Sequence, residues 1–430
     1  MNNMNNNKPD HPTPKRLPDI QSAHIKTRHR SAYYILHNSE ANGYLRIDSK
    51  NYYLWSLIDG QRNVADIVIE YHKKFGTFPF DRIENLLKQL TAHSLIENSN
   101  TIKTVEVKKN EIDSRLMQLA TSAFQKECTF KITDKFLSNT YNFLGKFFFK
   151  PVSLIFFGLI SIIGLALFIY WEPNPIFQFF DLRGDYDLGL VVIFIAYPIL
   201  IFLHELSHAM ACKHYGRKVR RAGLMFYFGV PAFFVDSTDM WLEEKPLARV
   251  VVAFAGPAIN IIVAGLFCVI VAIIPESDFS LVLYQAAYLS FFMALLNLNP
   301  LLEYDGYYIL MEWLEMPNLR RRSLNFIFNK LTGKGQKERV SSYDKKVFYV
   351  YGFLSIVFTV LMLSAVLYIW KNEFSKMISS LFEGEDIVAA ILFGGLTLVA
   401  GSFLMVGLGA RGIIWIKRLI TKKDRHSKAI

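Results

Sequence analysis

A chain of 430 residues that is 52% hydrophobic, 15% aromatic and only 20% charged is too apolar for an ordinary soluble protein and points to several membrane spans. The net charge of +11 does not argue for nucleic-acid binding, because the basic residues sit mostly beside apolar runs, where Lys and Arg set orientation toward the cytoplasm. Three widely separated cysteines, Cys128, Cys212 and Cys268, support neither a disulfide framework nor a paired-cysteine metal site.

Residues 1–31 are rich in Asn, Pro, Lys and Arg, lack the apolar stretch of a signal peptide, and read as a disordered tail that stays in the cytoplasm. A short strand at Tyr33 to Leu36, a turn with Asn42-Gly43 and a second strand at Tyr44 to Ile47 then predict a hairpin. Three helices follow. The first centres on Tyr52 to Ile58, the second on Val64, Ile67, Val68 and Tyr71, and the third on Ile83, Leu86, Leu87 and Leu90, with Asp59-Gly60 and Gly76 between them. Residues 32–105 thus form a small winged-helix-like domain, large enough for one core. Residues 106–150 are expected to be a connecting helix that reaches the membrane at Lys146 to Lys150.

Six apolar runs follow, near 152–171, 188–213, 248–274, 280–302, 347–370 and 387–416, each long enough to cross roughly 30 Å of hydrocarbon as a helix. With the tail inside, acidic residues Glu172, Asp181, Asp185 and Asp187 fall outside, and Lys213, Arg217, Lys218, Arg220 and Arg221 fall inside. Arg320 to Arg322 and the basic tail at 421–430 continue the alternation, so both termini are expected in the cytoplasm and the chain in the cell membrane.

The second run contains His204-Glu205-Leu206-Ser207-His208. Two histidines four apart on a helix project from one face and reach a single Zn²⁺, while the adjacent glutamate can activate water. Ionisable groups inside a span are costly and usually functional, and three fall within five residues here. A non-metal reading has them lining a polar cavity or proton path. A catalytic zinc needs a third protein ligand. His214 has the spacing of the three-histidine metzincins, but Ala211 stands where those proteins break the helix with glycine. An unbroken helix turns His214 to another face. Asp305, after the break at Pro300, is preferred, with Glu303 as fallback and a simple Asp305-Gly306 turn as the bland reading. In the third run, Ala255-Gly256-Pro257 permits close helix approach, and Asn260 offers a hydrogen bond either to a substrate carbonyl or to a neighbouring helix. Leu224 to Val235 is apolar but too short to cross, which suggests an interfacial hairpin whose unpaired edge receives an extended peptide. Asp236 and Asp239 read as caps for a helix starting near Met240.

These residues resemble the site-2 proteases, intramembrane zinc peptidases of the M50 type, which pair HExxH on one span with an NPxxxxDG-like motif on a later one. Here those motifs are His204 to His208 and Asn299-Pro300 to Asp305-Gly306, with Tyr304 where leucine usually precedes the aspartate. The resemblance covers about residues 151–420. It implies an α-helical integral membrane protein with Zn²⁺ on His204, His208 and Asp305, Glu205 as catalytic base, and Asn260 and Asn299 as substrate-positioning residues. Residues 32–105 look like the PqqD-type winged-helix domain, which recognises leader segments of ribosomally made, modified peptides. The fusion is similar to peptide zinc metalloproteases of bacterial peptide maturation and export systems. That likeness implies a peptide or protein substrate, contact with membrane lipid, and an ABC-type peptide transporter as partner. The rival classes are a non-enzymatic exporter or immunity component, and a site-2-type protease that releases a membrane-tethered regulator.

Overall fold

The computed structural model describes residues 13–26, 32–41, 43–97, 125–130, 134–171, 186–227, 230–332 and 340–383. They fall into two contact units.

The first unit lies within Met1–Lys109 and also takes in Thr238–Arg249. Strands β1 (Ile20–Ile25), β2 (Tyr33–Asn38) and β3 (Gly43–Asp48) form an antiparallel sheet in that order, with Leu36 opposite both Ser22 and Leu45. Helix α1 (Ser49–Leu57) begins where the Asp48 side chain accepts the Asn51 N–H at 2.7 Å. Helix α2 (Val64–Phe75) opens with a reciprocal cap between Asn63 and Asp66. It stops at Gly76, whose φ of 68° suits a residue without Cβ. Asp59 lies in the turn between these helices. The N–H groups of Gln61 and Arg62 bond its carboxylate and hold its pKa below the ordinary value. In α2 and α3 (Phe80–Ala92) the residues at helical spacing, Ile67, Val68, Tyr71, Ile83, Leu86, Leu87 and Leu90, turn inward onto Leu36, Leu45, Leu54 and Trp55.

Strand β1 corrects the expectation of a tail over residues 1–31: Ala23 and Ile25 are buried and the whole strand is paired. Only Ile20, Ala23 and Ile25 are apolar there, and the strand's stability comes from β2, which its own composition does not reveal. Leu242 joins Ala23, Ile25 and Ile35 in a small cluster, and the Tyr44 hydroxyl donates to Asp239 Oδ1 at 3.2 Å. Asp239 sits inside a 3-10 turn, Thr238–Leu242, and not ahead of a long helix starting near Met240.

The second unit is mostly helical. Strand β4 (Gln125–Phe130) pairs antiparallel with β5 (Ala222–Tyr227), which pairs with β6 (Val230–Val235), giving the order β4-β5-β6. The expected continuous helix over 106–150 is therefore corrected at 125–130. Its alternating charged and apolar residues suit either element, and the pairing partner lies about a hundred residues away. Helix α4 (Asp134–Thr140) continues through a π-helical turn, Tyr141–Gly145, and one further turn, Lys146–Phe148. Asp134 ties this segment to the rest by hydrogen-bonding Lys213 Nζ and accepting the Val219 N–H at 2.8 Å.

The long helices are α5 (Pro151–Trp171), α6 (Tyr186–His214), α7 (Pro246–Ile273), α8 (Asp278–Asn297) and α11 (Ser342–Glu383), with the shorter α9 (Asp305–Trp313) and α10 (Leu319–Leu331) before the last. Five of them contain stretches long and apolar enough to cross a membrane: Pro151–Trp171, Phe194–His214, Pro246–Ile273, Asp278–Asn297 and Ser342–Ala365. The sixth expected run, the loop at 172–185 and the basic tail lie outside the described residues. Helices α5 and α7 touch at Gly164 and Gly265, where a Cβ on either would strike the other helix's backbone. Ala264, Cys268 and Ala287 pack beside them against Phe168 and Trp171. The Tyr351 hydroxyl of α11 donates to the Pro300 carbonyl at 3.0 Å, anchoring the break after α8.

Because Ile67 is fully buried in the core of the first unit, Ile67→Ala is expected to destabilise that unit by about 2–5 kcal/mol. Hydrogen exchange on the purified chain should show faster exchange of α1 to α3 amides; unchanged protection would contradict this core assignment.

Candidate metal centre

His204 and His208 stand one turn apart on α6, so their imidazoles project from the same face, with ring centroids 4.9 Å apart and planes at 79°. Both are buried. Asp305 is the first residue of α9, beyond the break at Asn299-Pro300. The next residue explains how α9 comes close: a Cβ on Gly306 would collide with the backbone of Leu298 at the end of α8. Only glycine permits that approach.

His204 Nε2 lies 3.0 Å from Asp305 Oδ2, His208 Nε2 lies 3.5 Å from Asp305 Oδ1, and the two Nε2 atoms are 3.2 Å apart. Donors at tetrahedral positions around Zn²⁺, with bonds of about 2.0–2.1 Å, are separated by roughly 3.4 Å. The cluster is thus nearly at coordination spacing, and the set of two imidazoles and one carboxylate leaves a fourth position open, as catalytic zinc sites do. Among the described residues these three make the group of potential ligands that could hold an ion.

Helix α7 frames the site from behind. Val252, Gly256 and Asn260 follow one another every fourth residue, so they share a face. His208 Nδ1 lies 2.7 Å from the Val252 carbonyl oxygen. A carbonyl only accepts, so Nδ1 carries the proton and donates, and the Nε2 lone pair remains for a metal. Gly256 lies directly against both imidazoles: a Cβ there would fall inside contact distance of His204 Nε2 and His208 Nε2. Asn260 Nδ2 is 3.1 Å from His204 Nδ1, and its backbone carbonyl accepts the Ser290 hydroxyl at 2.8 Å. The residues present therefore fit a metal ion, by donor chemistry, spacing and the space that Gly256 leaves.

Glu205 follows His204 on α6 and is partly buried, and Val235 of β6 lies near its carboxylate. That strand edges the three-stranded sheet, so its outer side has no strand partner among the described residues.

The other sequence candidates lie elsewhere. His214 is exposed, 2.8 Å from the Tyr141 hydroxyl and stacked on Phe149, so the structure does not bring it to the ligand group. Glu303 is exposed and outside the group as well. Asn299 Oδ1 accepts the Leu301 N–H at 2.9 Å and so shapes the turn that leads to Asp305. Asp236 lies 3.5 Å from Arg221 Nε. Sequence reading missed the Val252 carbonyl altogether, and read Gly256 only as permitting close helix approach, without placing it against the histidines. The one available signal was the four-residue spacing from Val252 through Gly256 to Asn260.

The pattern of Peptidase family M50 matches residues 192–276, a stretch that includes His204, Glu205, His208 and Asn260 but ends before Asp305. The chain is 29% identical over 137 residues to "Putative peptide zinc metalloprotease protein YydH" of Bacillus subtilis, covering 31% of this chain and 52% of that protein. It is 29% identical over 123 residues to an uncharacterized protein of Methanocaldococcus jannaschii, covering 26% of this chain and 32% of that protein. The chain thus spans about half the length of the first relative and a third of the second. No solved structure matches it.

Gly256→Ala should lower bound zinc from about one ion per purified chain to a small fraction of that, since the new methyl group occupies the ligand atoms' space. Elemental analysis after gentle purification measures this, and full zinc content in the variant would show that the glycine face is not part of the metal site.

Proposed function

We propose that the chain is an intramembrane zinc metalloendopeptidase of the site-2 type, acting in maturation or export of a ribosomally made peptide, a reading that starts from the match of residues 192–276 to the pattern of peptidase family M50. The observation that carries this reading is the convergence of His204 and His208, next to Glu205 on a helix long and apolar enough to cross a membrane, with Asp305 at the start of the short helix α9. A Zn²⁺ bound by those three residues supplies Lewis-acid chemistry, activating water and polarising a carbonyl. Glu205 acts as general base: it takes a proton from the attacking water as the new C–O bond forms, then delivers it to the leaving nitrogen as the peptide C–N bond breaks.

A helical substrate hides its carbonyls, so the scissile segment must be extended. The outer edge of β6, beside Glu205, offers backbone groups for strand addition. The name of the Bacillus subtilis relative supports a peptide as substrate. Residues 32–105 capture a leader segment as a PqqD-like winged-helix domain would, which raises the local concentration of the attached peptide without new contacts at the zinc. The product passes to an ABC-type peptide transporter, and both termini lie in the cytoplasm.

Cells carrying Glu205→Gln should accumulate an uncut peptide that wild-type cells process. An uncut membrane-tethered protein would point instead to release of a regulator, and identical peptide and membrane-protein profiles in the two strains would remove the protease reading. Purified Glu205→Gln should keep its zinc while cleaving about 10²–10⁴-fold more slowly, whereas Asp305→Ala should lose the metal. Leader capture has its own check: a leader peptide should titrate residues 1–110, and normal cleavage by the full chain without detectable binding would contradict delivery.

A further inference from the structure

The geometry points to Asn260 as the residue that sets the tautomer and orientation of His204 for metal binding, a positioning residue behind the ligand rather than a contact for substrate. This inference rests on the zinc reading proposed above. His204 turns Nε2 toward Asp305 and His208, and turns Nδ1 toward Asn260. A neutral imidazole whose Nε2 lone pair binds a metal carries its proton on Nδ1, and that N–H needs an acceptor inside the protein.

Asn260 holds the acceptor, rotated away. Its amide nitrogen faces Nδ1 at 3.1 Å, while its own oxygen is a buried side-chain atom with no hydrogen-bond partner. The two ends of an amide are nearly the same size, and a half-turn about the terminal torsion exchanges them. After that half-turn the orphaned Oδ1 accepts the Nδ1–H of His204, so one rotation satisfies the buried oxygen and releases Nε2 as a ligand. The rotation moves the amide nitrogen to the place the oxygen leaves, so its cause is the proton that metal binding at Nε2 puts on Nδ1, a donor that only the Oδ1 end can accept.

Two further observations place this role on α7. His208 is already fixed in the corresponding way, with Nδ1 donating to the Val252 carbonyl two turns earlier on the same face. Between them stands Gly256, whose missing Cβ leaves room beside both Nε2 atoms. One stripe of α7 therefore provides an acceptor for each histidine and space between them. The backbone of Asn260 is held in turn by Ser290 from α8, and the residue is 1% exposed.

Zinc affinity of the purified full-length chain, measured by competition with a chromogenic chelator, tests the assignment. Asn260→Leu keeps the volume and removes the acceptor; it should weaken zinc binding about 10–100-fold. Asn260→Asp keeps an acceptor in every orientation and should bind zinc at least as tightly as wild type. Wild-type affinity in the Leu variant overturns the inference, as does weakened binding in the Asp variant, which also decides the matter if the Leu variant does not fold. Wild-type protein that binds no zinc would instead sink the metalloprotease reading on which this one stands.

Discussion

Two imidazoles and a carboxylate meet within hydrogen-bonding distance inside a bundle whose surrounding surface is apolar, and the cost of keeping such groups away from water governs the arrangement around them. Each polar atom must find a partner from a neighbouring helix. His208 uses the Val252 carbonyl, His204 meets Asn260, and Asp305 faces both histidines. The face that α6 turns inward is set by this demand as much as by packing.

Meeting it requires helices closer than ordinary side chains permit. Gly256 lets α7 lie against the imidazoles, and Gly306 lets α9 start against the end of α8. Gly164 and Gly265 bring α5 onto α7 in the same way. Without a hydrophobic drive between helices in lipid, such close backbone contact is a principal source of cohesion. Gly256 and Gly306 therefore serve both cohesion and the shape of the centre.

The sheet adds what helices lack. Strand β6 brings Val235 near Glu205 and leaves its outer edge without a strand partner among the described residues. An extended chain is the only form in which a peptide exposes its carbonyls in a row, so a strand edge beside Glu205 suits the peptide hydrolysis proposed above. The first contact unit is a separate construction. Its core is an ordinary sheet-and-helix core closed by Leu36, Leu54 and Leu90, and Leu242 from a distant part of the chain completes a smaller cluster on the sheet.

What the sequence determined by itself was everything governed by local geometry. Helical spacing alone put His204 and His208 on one face, placed Ile67, Tyr71, Leu86 and Leu90 inward, and marked runs long enough to span a bilayer. Strand β1 and strand β4 escaped it, because a polar strand is held by a partner elsewhere in the chain. The centre divides in the same way. Motif spacing named Asp305 alongside His214 and Glu303, but bringing one carboxylate 101 residues away to 3.0 Å from His204 depends on the Gly306 contact and the break at Pro300. The partner of Asn260 was decided by tertiary structure too. A side chain's own helix fixes which face it occupies, and only the packing of the next helix decides what it touches.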